Sequence, residues 1–207
     1  MGETASLGVV LLWHGRGPNE AASLATLATA LEHRGFLTIA PNWDSTSADC
    51  GRTTLMASLE QALATATRAN TGLTVAGWSM GGTAALSLAR TGSTLPTVER
   101  VVGLAADVHK PSVLDGRAPI GEATDALMMR VHLVHGRQDT VVPVELTERF
   151  AARNPDMCEM TLVDSDHAGV IGTAYDERAG LCRPSSEPSA QAGLRAAVAA
   201  ITGETAR

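Results

Sequence analysis

The stretch from Leu73 to Arg90, which reads LTVAGWSMGGTAALSLAR, constrains the fold of this chain more than any other. It joins an apolar run of β type to a segment with apolar and small residues at helical spacing, and the junction reads GWSMG. The sequence therefore predicts a strand, a tight turn and a helix, with Ser79 on the turn. Such a turn strains the serine backbone, and side chains larger than Gly77 and Gly81 would clash where strand and helix meet. This context is typical of a nucleophilic serine.

Strand-like and helix-like segments alternate along the rest of the chain. Short apolar runs, typical of buried parallel strands, are separated by segments whose apolar residues recur at helical spacing. The alternation predicts an α/β fold, a three-layer α/β/α sandwich with functional loops at the carboxyl ends of its strands. Strands are predicted at residues 7–13, 36–40, 73–76, 98–105, 131–134 and 160–163, and helices at 20–34, 53–69, 83–90, 145–152 and around 194–201.

Composition limits the class of protein. A length of 207 residues with 44% hydrophobic content suits a single domain, residues 1–207, with a sizeable core. The formal net charge of -6 argues against nucleic acid or an anionic membrane surface as the main partner. The first ten residues, MGETASLGVV, lack the basic region of a signal peptide and begin an apolar run too short for a membrane span. We therefore expect a cytoplasmic protein, with its three widely spaced cysteines as free thiols.

The sequence has no motif that requires a metal or a cofactor. His132 and His135 would point to opposite faces of a strand, which disfavours a metal pair. The chain contains no H-E-x-x-H, no P-loop and no G-x-G-x-x-G after a strand. We therefore expect neither a metal nor a cofactor.

A serine nucleophile needs a general base and an orienting acid from elsewhere in the chain. Two loops that follow predicted strands supply candidates: HGRQDTVVP contains Asp139, and DSDHAG contains His167. Asp107 follows the preceding predicted strand and is an alternative acid. The candidates therefore follow the nucleophile in the order acid, then base.

In this order of nucleophile, acid and base, the chain resembles the α/β-hydrolases, whose catalytic residues come from the carboxyl ends of successive strands. It is most similar to the small lidless branch of esterases, thioesterases and dienelactone hydrolases, whose H-G-x-x-D-x-x-V-P pattern corresponds to residues 135–143. The resemblance implies about six mainly parallel strands, since the two leading strands of larger members are missing. It also implies that Ser79 attacks the substrate carbonyl, that His167 takes and returns the proton, and that Asp139 holds the imidazole.

The resemblance further implies an oxyanion hole, a set of N–H donors for the negative charge of the tetrahedral intermediate. One donor would be the amide of Met80, the residue after the nucleophile. The other would come from the HGRG loop after the first strand, with the Arg16 amide as first choice and that of Gly17 as second. Gly15 and Gly17 would let this backbone approach the substrate closely.

Three segments are expected to border a shallow site. They are the PNWD loop that contains Trp43, the segment 107–130, which is too short for a multi-helix cap, and the segment 172–189 after His167. Trp43 is a candidate to line the substrate pocket, and Tyr175 is a weaker one.

The predicted function is hydrolysis of a small ester, thioester or lactone through an acyl-enzyme on Ser79. The alternative is a cyclase, lyase or acyl transferase that uses the same triad, because the fold hosts these reactions too. A ligand-binding relative without turnover is a third possibility, which the presence of all three triad residues disfavours. In each case the expected partner is a small molecule.

Overall fold

A single parallel sheet with helices on both faces organises the chain, whose computed structural model describes residues 6–90, 97–119 and 127–204. All five pairs of neighbouring strands in the sheet are parallel, in the order β2-β1-β3-β4-β5-β6. A separate antiparallel hairpin, β7–β8, precedes the last helix. The strands are β1 (Gly8–Trp13), β2 (Phe36–Ile39), β3 (Leu73–Trp78), β4 (Val98–Leu104), β5 (Val131–Gly136), β6 (Cys158–Val163), β7 (Thr173–Asp176) and β8 (Leu181–Pro184), and the helices are α1 (Ala25–Glu32), α2 (Arg52–Ala69), α3 (Met80–Leu88), α4 (Val144–Arg153) and α5 (Pro188–Thr202).

The core consists of two apolar layers, one on each face of the sheet. Strand β1 is buried along its whole length, and its side chains alternate between the layers because successive residues of a strand point to opposite faces. Val9 and Leu11 pack in the layer that α2, α3 and α4 cover, whereas Val10 and Leu12 pack in the layer that α1 and α5 cover. The structure is therefore the three-layer α/β/α sandwich that the sequence predicts.

The strand order reverses between β1 and β3, and this reversal positions the candidate site. From β1 the chain crosses to β2 on one side, whereas the later strands add on the other side, beyond β3. Trp13 at the end of β1 lies beside Gly77 near the end of β3. The loop after Trp13 and the turn at Ser79 therefore leave the sheet next to each other, at the point where ligands bind in open α/β sheets.

Differences from the predicted elements are local. The first helical segment begins as a 3-10 helix over Glu20–Leu24 and becomes α-helical at Ala25. The β7–β8 hairpin was not predicted, because its strands are four residues long and include charged side chains. Within the segment 107–130, residues 107–119 and 127–130 contain no helix, and the rest lies outside the described residues. No helix in the described ranges has both the length and the apolarity needed to span a membrane.

Candidate active site

The turn between β3 and α3 holds Ser79 in a backbone conformation that few non-glycine residues adopt, with φ 54° and ψ -120°. Its amide donates a hydrogen bond to the Leu104 carbonyl at 2.8 Å, which ties the turn to β4. A Cβ atom on Gly77 would lie 2.1 Å from the Gly81 carbonyl oxygen, and one on Gly81 would lie 2.3 Å from the His14 carbonyl oxygen. Both positions therefore require glycine, as predicted, and within this turn the candidate nucleophile itself has the strained backbone.

His167, in the loop after β6, is held by the acid candidate from the loop after β5. Its Nδ1 lies 2.7 Å from Oδ2 of Asp139. A carboxylate can only accept, so Nδ1 carries the proton and Nε2 of a neutral imidazole is left to accept another. His167 and Ser79 line the same cavity. Among the described residues no hydrogen bond joins their reactive atoms, a contact that often closes only when substrate binds.

Asp139 is buried and its carboxylate is fully engaged. Oδ1 accepts hydrogen bonds from the amides of Val141 and Val142, each at 2.8 Å. Oδ2 accepts from His167 and lies 3.2 Å from Nε2 of a second histidine, His135. Burial alone would raise the pKa of Asp139, but the hydrogen bonds from His135, His167 and Val142 outweigh it and hold that pKa well below its usual range. Asp139 is therefore an anion at neutral pH.

The alternative acid, Asp107, is committed to its own loop. Its Oδ1 accepts hydrogen bonds from the amides of His109 and Lys110 at 3.0 and 3.2 Å, and the Lys110 ammonium lies 3.4 Å from Oδ2. The structure therefore brings Asp139, and not Asp107, into contact with His167.

Trp78, the residue before Ser79, also holds the candidate base, a role that was not predicted from the sequence. Its indole Nε1 donates a hydrogen bond to the main-chain carbonyl of His167 at 2.9 Å, and the two rings lie 5.2 Å apart between centroids. The position of Trp78 within the GWSMG turn, directly before Ser79, could have suggested a structural role. Its partner, 89 positions along the chain, could not be read from the pattern.

The candidate oxyanion donors lie on both sides of Ser79. Met80 is the first residue of α3, where amides have no partner within the helix and the helix dipole favours negative charge. Arg16 lines the cavity, whereas the Gly17 amide already donates to the Ser45 hydroxyl at 2.9 Å. The Gly17 amide is therefore already engaged, and the Arg16 amide stays the first candidate for the second donor.

Gly15 lets the loop after β1 lie directly against the turn. A Cβ atom on Gly15 would be 3.0 Å from the Trp78 ring and 3.3 Å from Cβ of Ser79. This contact is tighter than most real Cβ contacts, so a larger residue would push the loop away from the nucleophile.

Trp43 supports this loop from the core and does not line the cavity, which corrects the expectation from sequence. It is 1% exposed, its ring stacks on His14 with centroids 5.0 Å apart, and its amide donates to His14 Nε2 at 3.2 Å. Nδ1 of His14 donates to the Gly15 carbonyl at 2.8 Å. Burial lowers the pKa of His14 despite these hydrogen bonds, so the ring is neutral and Nε2 can accept.

The candidate site is an open cavity of about 630 Å³ at the carboxyl ends of the strands. Of the three segments expected to border it, 172–189 does so through the β7–β8 hairpin, whereas the Trp43 loop and the described parts of 107–130 do not. The lining residues are Arg16, Glu20, Trp78, Ser79, Thr140, Val141, Asp166, His167, Ala168, Ala174, Tyr175, Glu177, Gly180, Leu181 and Cys182.

In the part of the chain that the structure describes, the cysteines and the acidic residues outside the triad do not cluster as metal ligands. Cys50, Cys158 and Cys182 are free thiols, as predicted. In the described ranges, no group of three or more His, Cys, Asp or Glu side chains is arranged to hold a metal ion.

Comparison with known proteins identifies the fold. No protein-family model and no curated protein sequence matches the chain. A protein from Klebsiella pneumoniae, provisionally named a dienelactone hydrolase, superposes with a TM-score of 0.69 at 20% identity, over 99% of this chain and 90% of its own. The chain has the α/β-hydrolase fold.

Other α/β-hydrolase structures agree with this. Est1E from Butyrivibrio proteoclasticus, in a complex with ferulic acid, matches with a TM-score of 0.60 at 15% identity over 80% of this chain and 83% of its own. A monoglyceride lipase from Saccharomyces cerevisiae matches with a TM-score of 0.66 at 16% identity over 81% of this chain and 80% of its own. At such identities the likeness is one of fold.

Proposed function

We propose that this α/β-hydrolase-fold chain is a serine hydrolase that cleaves a small ester, thioester or lactone through an acyl-enzyme on Ser79. One observation carries the proposal: His167 Nδ1 lies 2.7 Å from the buried carboxylate of Asp139, and His167 lines the same cavity as Ser79, whose backbone is strained. Hydrolases and esterases among the structures that share the fold agree with it.

In the first step of the proposed reaction, Ser79 Oγ attacks the substrate carbonyl carbon while His167 Nε2 takes the hydroxyl proton. Asp139 stabilises the imidazolium that forms. The carbonyl oxygen becomes negatively charged, and the amides of Met80 and Arg16 supply hydrogen bonds to it.

The tetrahedral intermediate then collapses. The bond from the carbonyl carbon to the alcohol, thiol or lactone ring oxygen breaks, and the leaving atom takes the proton from His167. A water molecule repeats the sequence on the acyl-enzyme, with His167 as the base, and releases the acid and Ser79. Water is the only co-substrate that this scheme requires.

Labelling with a fluorophosphonate followed by intact mass spectrometry tests the proposal. An activated serine displaces fluoride and keeps the phosphonyl group, so the wild-type protein should gain the mass of one adduct. Ser79→Ala should not be labelled. Ser186→Ala, an exposed serine outside the cavity, is the matched control and should be labelled like the wild type. Absence of an adduct on the wild type, or labelling of Ser79→Ala to the same extent, would overturn the proposal.

A further inference from the structure

Exposed apolar side chains are concentrated at the cavity that contains Ser79. Seven large hydrophobic side chains are exposed among the described residues, and three of them line this cavity: Val141, Tyr175 and Leu181, which are 66%, 59% and 39% exposed. Single exposed hydrophobic residues are ordinary, but their concentration on a concave surface marks a binding site. The cavity is therefore suited to an apolar group.

Tyr175 presents an aromatic ring to this group. It is the cross-strand partner of Cys182 in the β7–β8 hairpin, so the two side chains share one face. Both line the cavity, and Cys182 also packs against the core layer of α1 and α5. Tyr175 therefore shares the hairpin face that packs on the core, and because it is 59% exposed in the lining of the cavity, its ring is open to a ligand there. A second aromatic ring can cover it by offset stacking or an edge-to-face contact.

The charged side chains around the cavity are mostly acidic. Among the described residues that line it, the carboxylates of Glu20, Asp166 and Glu177 outnumber the one cation, Arg16. The whole chain also carries a formal net charge of -6. A substrate that bears a carboxylate would therefore approach and bind against like charge.

We propose that the site selects uncharged esters whose acyl or alcohol part carries a planar aromatic ring, with Tyr175 as the residue that recognises the ring. This inference rests on the proposed function, because it names the substrate class of the same site.

Two matched pairs of esters test the aromatic preference. Benzyl acetate and cyclohexylmethyl acetate differ on the alcohol side, and methyl phenylacetate and methyl cyclohexylacetate differ on the acyl side. Each kcat/KM is divided by the rate constant for hydroxide-catalysed hydrolysis of the same ester, which removes intrinsic reactivity. The wild type should favour the aromatic member of at least one pair by about three- to tenfold, the range expected of one aromatic contact.

Variants of Tyr175 assign the preference to its ring. Tyr175→Leu should reduce the aromatic to cyclohexyl ratio to near one, whereas Tyr175→Phe should keep it. Met128→Ala is the matched control, since Met128 is 58% exposed and does not line the cavity, and it should keep the wild-type ratio. A wild-type ratio near one in both pairs, or a ratio unchanged in Tyr175→Leu, would overturn the inference.

Two esters that differ only in charge test the preference for uncharged substrates. Methyl phenylacetate with a para carboxamide should be hydrolysed about tenfold better than its para carboxylate at low salt, and added salt should narrow the gap. A preference for the carboxylate that disappears in Arg16→Gln would show that Arg16 binds an anionic substrate and would overturn this part. Failure of the wild type to hydrolyse any ester would instead count against the proposed function, whereas hydrolysis of all without these ratios removes only the present inference.

Discussion

The indole of Trp78 and the main chain of His167 are joined by a hydrogen bond of 2.9 Å from Nε1 to the carbonyl oxygen. The residue directly before the candidate nucleophile therefore fixes the loop that carries the candidate base. Asp139 holds the same histidine at Nδ1. His167 is thus positioned at its ring by the loop after β5 and at its backbone by β3.

Replacement of Trp78 by Phe should lower kcat by roughly tenfold, because a small displacement of the base misaligns proton transfer. Phenylalanine keeps an aromatic ring at this position but cannot donate a hydrogen bond, so the variant removes the tie from Nε1 to the His167 carbonyl. The measurement is kcat on a short acyl ester together with the rate of fluorophosphonate labelling.

Trp13→Phe is the matched control for this variant. The Trp13 indole donates a buried hydrogen bond of 3.0 Å to Ser58 on α2, away from the cavity. Both variants lose one indole hydrogen bond, which contributes about 1 kcal/mol to stability, but only Trp78→Phe should slow turnover. Equal kcat values for the two variants would show that Trp78 does not position the base.

The strained backbone of Ser79 predicts that the residue needed for activity at this position is not the residue that gives the greatest stability. Ser79→Gly should be more stable than Ser79→Ala by roughly 1 kcal/mol, because glycine adopts the positive φ without strain. This relief of strain outweighs the extra conformational entropy that glycine gives the unfolded chain. Both variants should lose at least about a thousandfold in kcat. Urea unfolding of the two variants measures the difference. If the glycine variant is the less stable one, the turn stores no strain.

The sheet, its flanking helices and the tight turn could be predicted because they depend on local patterns. Buried parallel strands appear as continuous apolar runs, as in β1. The requirement for glycine at positions 77 and 81 follows from the close approach of neighbouring backbone at the turn, which the motif itself encodes.

The parts that could not be predicted depend on partners far away in the chain. Trp43 lies in a loop near the site, but only the structure reveals that its ring turns inward to stack on His14. The β7–β8 hairpin likewise packs on distant segments, since Cys182 lies against the core layer that α1 and α5 cover. No periodicity within its two four-residue strands reports such contacts.

Asp139→Asn should reduce kcat by about a thousandfold or more, because an amide cannot hold His167 in the tautomer that the serine requires. Asp107→Asn should stay within about threefold of the wild type, since its side chain serves only its own turn. Parallel kcat measurements on one ester compare them. The reverse ranking would make Asp107 the acid.

The stability of the fold should depend on pH through Asp139. Its pKa is lowered in the folded state, so the ionised carboxylate stabilises the fold above its unfolded pKa of about 3.9, and this contribution is lost as pH falls through the lower folded value. The difference in unfolding free energy between the wild type and Asp139→Asn should therefore be largest near neutral pH and should shrink below about pH 4. Denaturation series from pH 7 to the acid limit of folding measure it. A difference that stays constant or grows on acidification would contradict the depressed pKa.

The buried His135 should act as a positioning residue for the acid. Its Nε2 donates to the Val142 carbonyl at 2.9 Å and lies 3.2 Å from Asp139 Oδ2, while Nδ1 accepts from the Thr147 hydroxyl at 2.8 Å. His135→Phe keeps a ring but removes the donor, so Asp139 should hold His167 less firmly. We expect kcat to fall by about tenfold with KM within about twofold, because His135 does not line the cavity.

A spectroscopic readout and two further variants separate positioning by His135 from a general loss of stability. The downfield proton resonance of the hydrogen bond between His167 and Asp139 should shift in His135→Phe. His135→Gln, which can still donate toward Asp139, should restore much of the kcat that His135→Phe loses.

Thr147→Val is the control for a general loss of stability. It removes the other hydrogen bond of His135 without touching the acid, so it should cost about 1 to 3 kcal/mol of stability and leave kcat near the wild-type value. If Thr147→Val lowered kcat as much as His135→Phe, the effect of His135 would be structural, and its contact with Asp139 would have no separate part in catalysis.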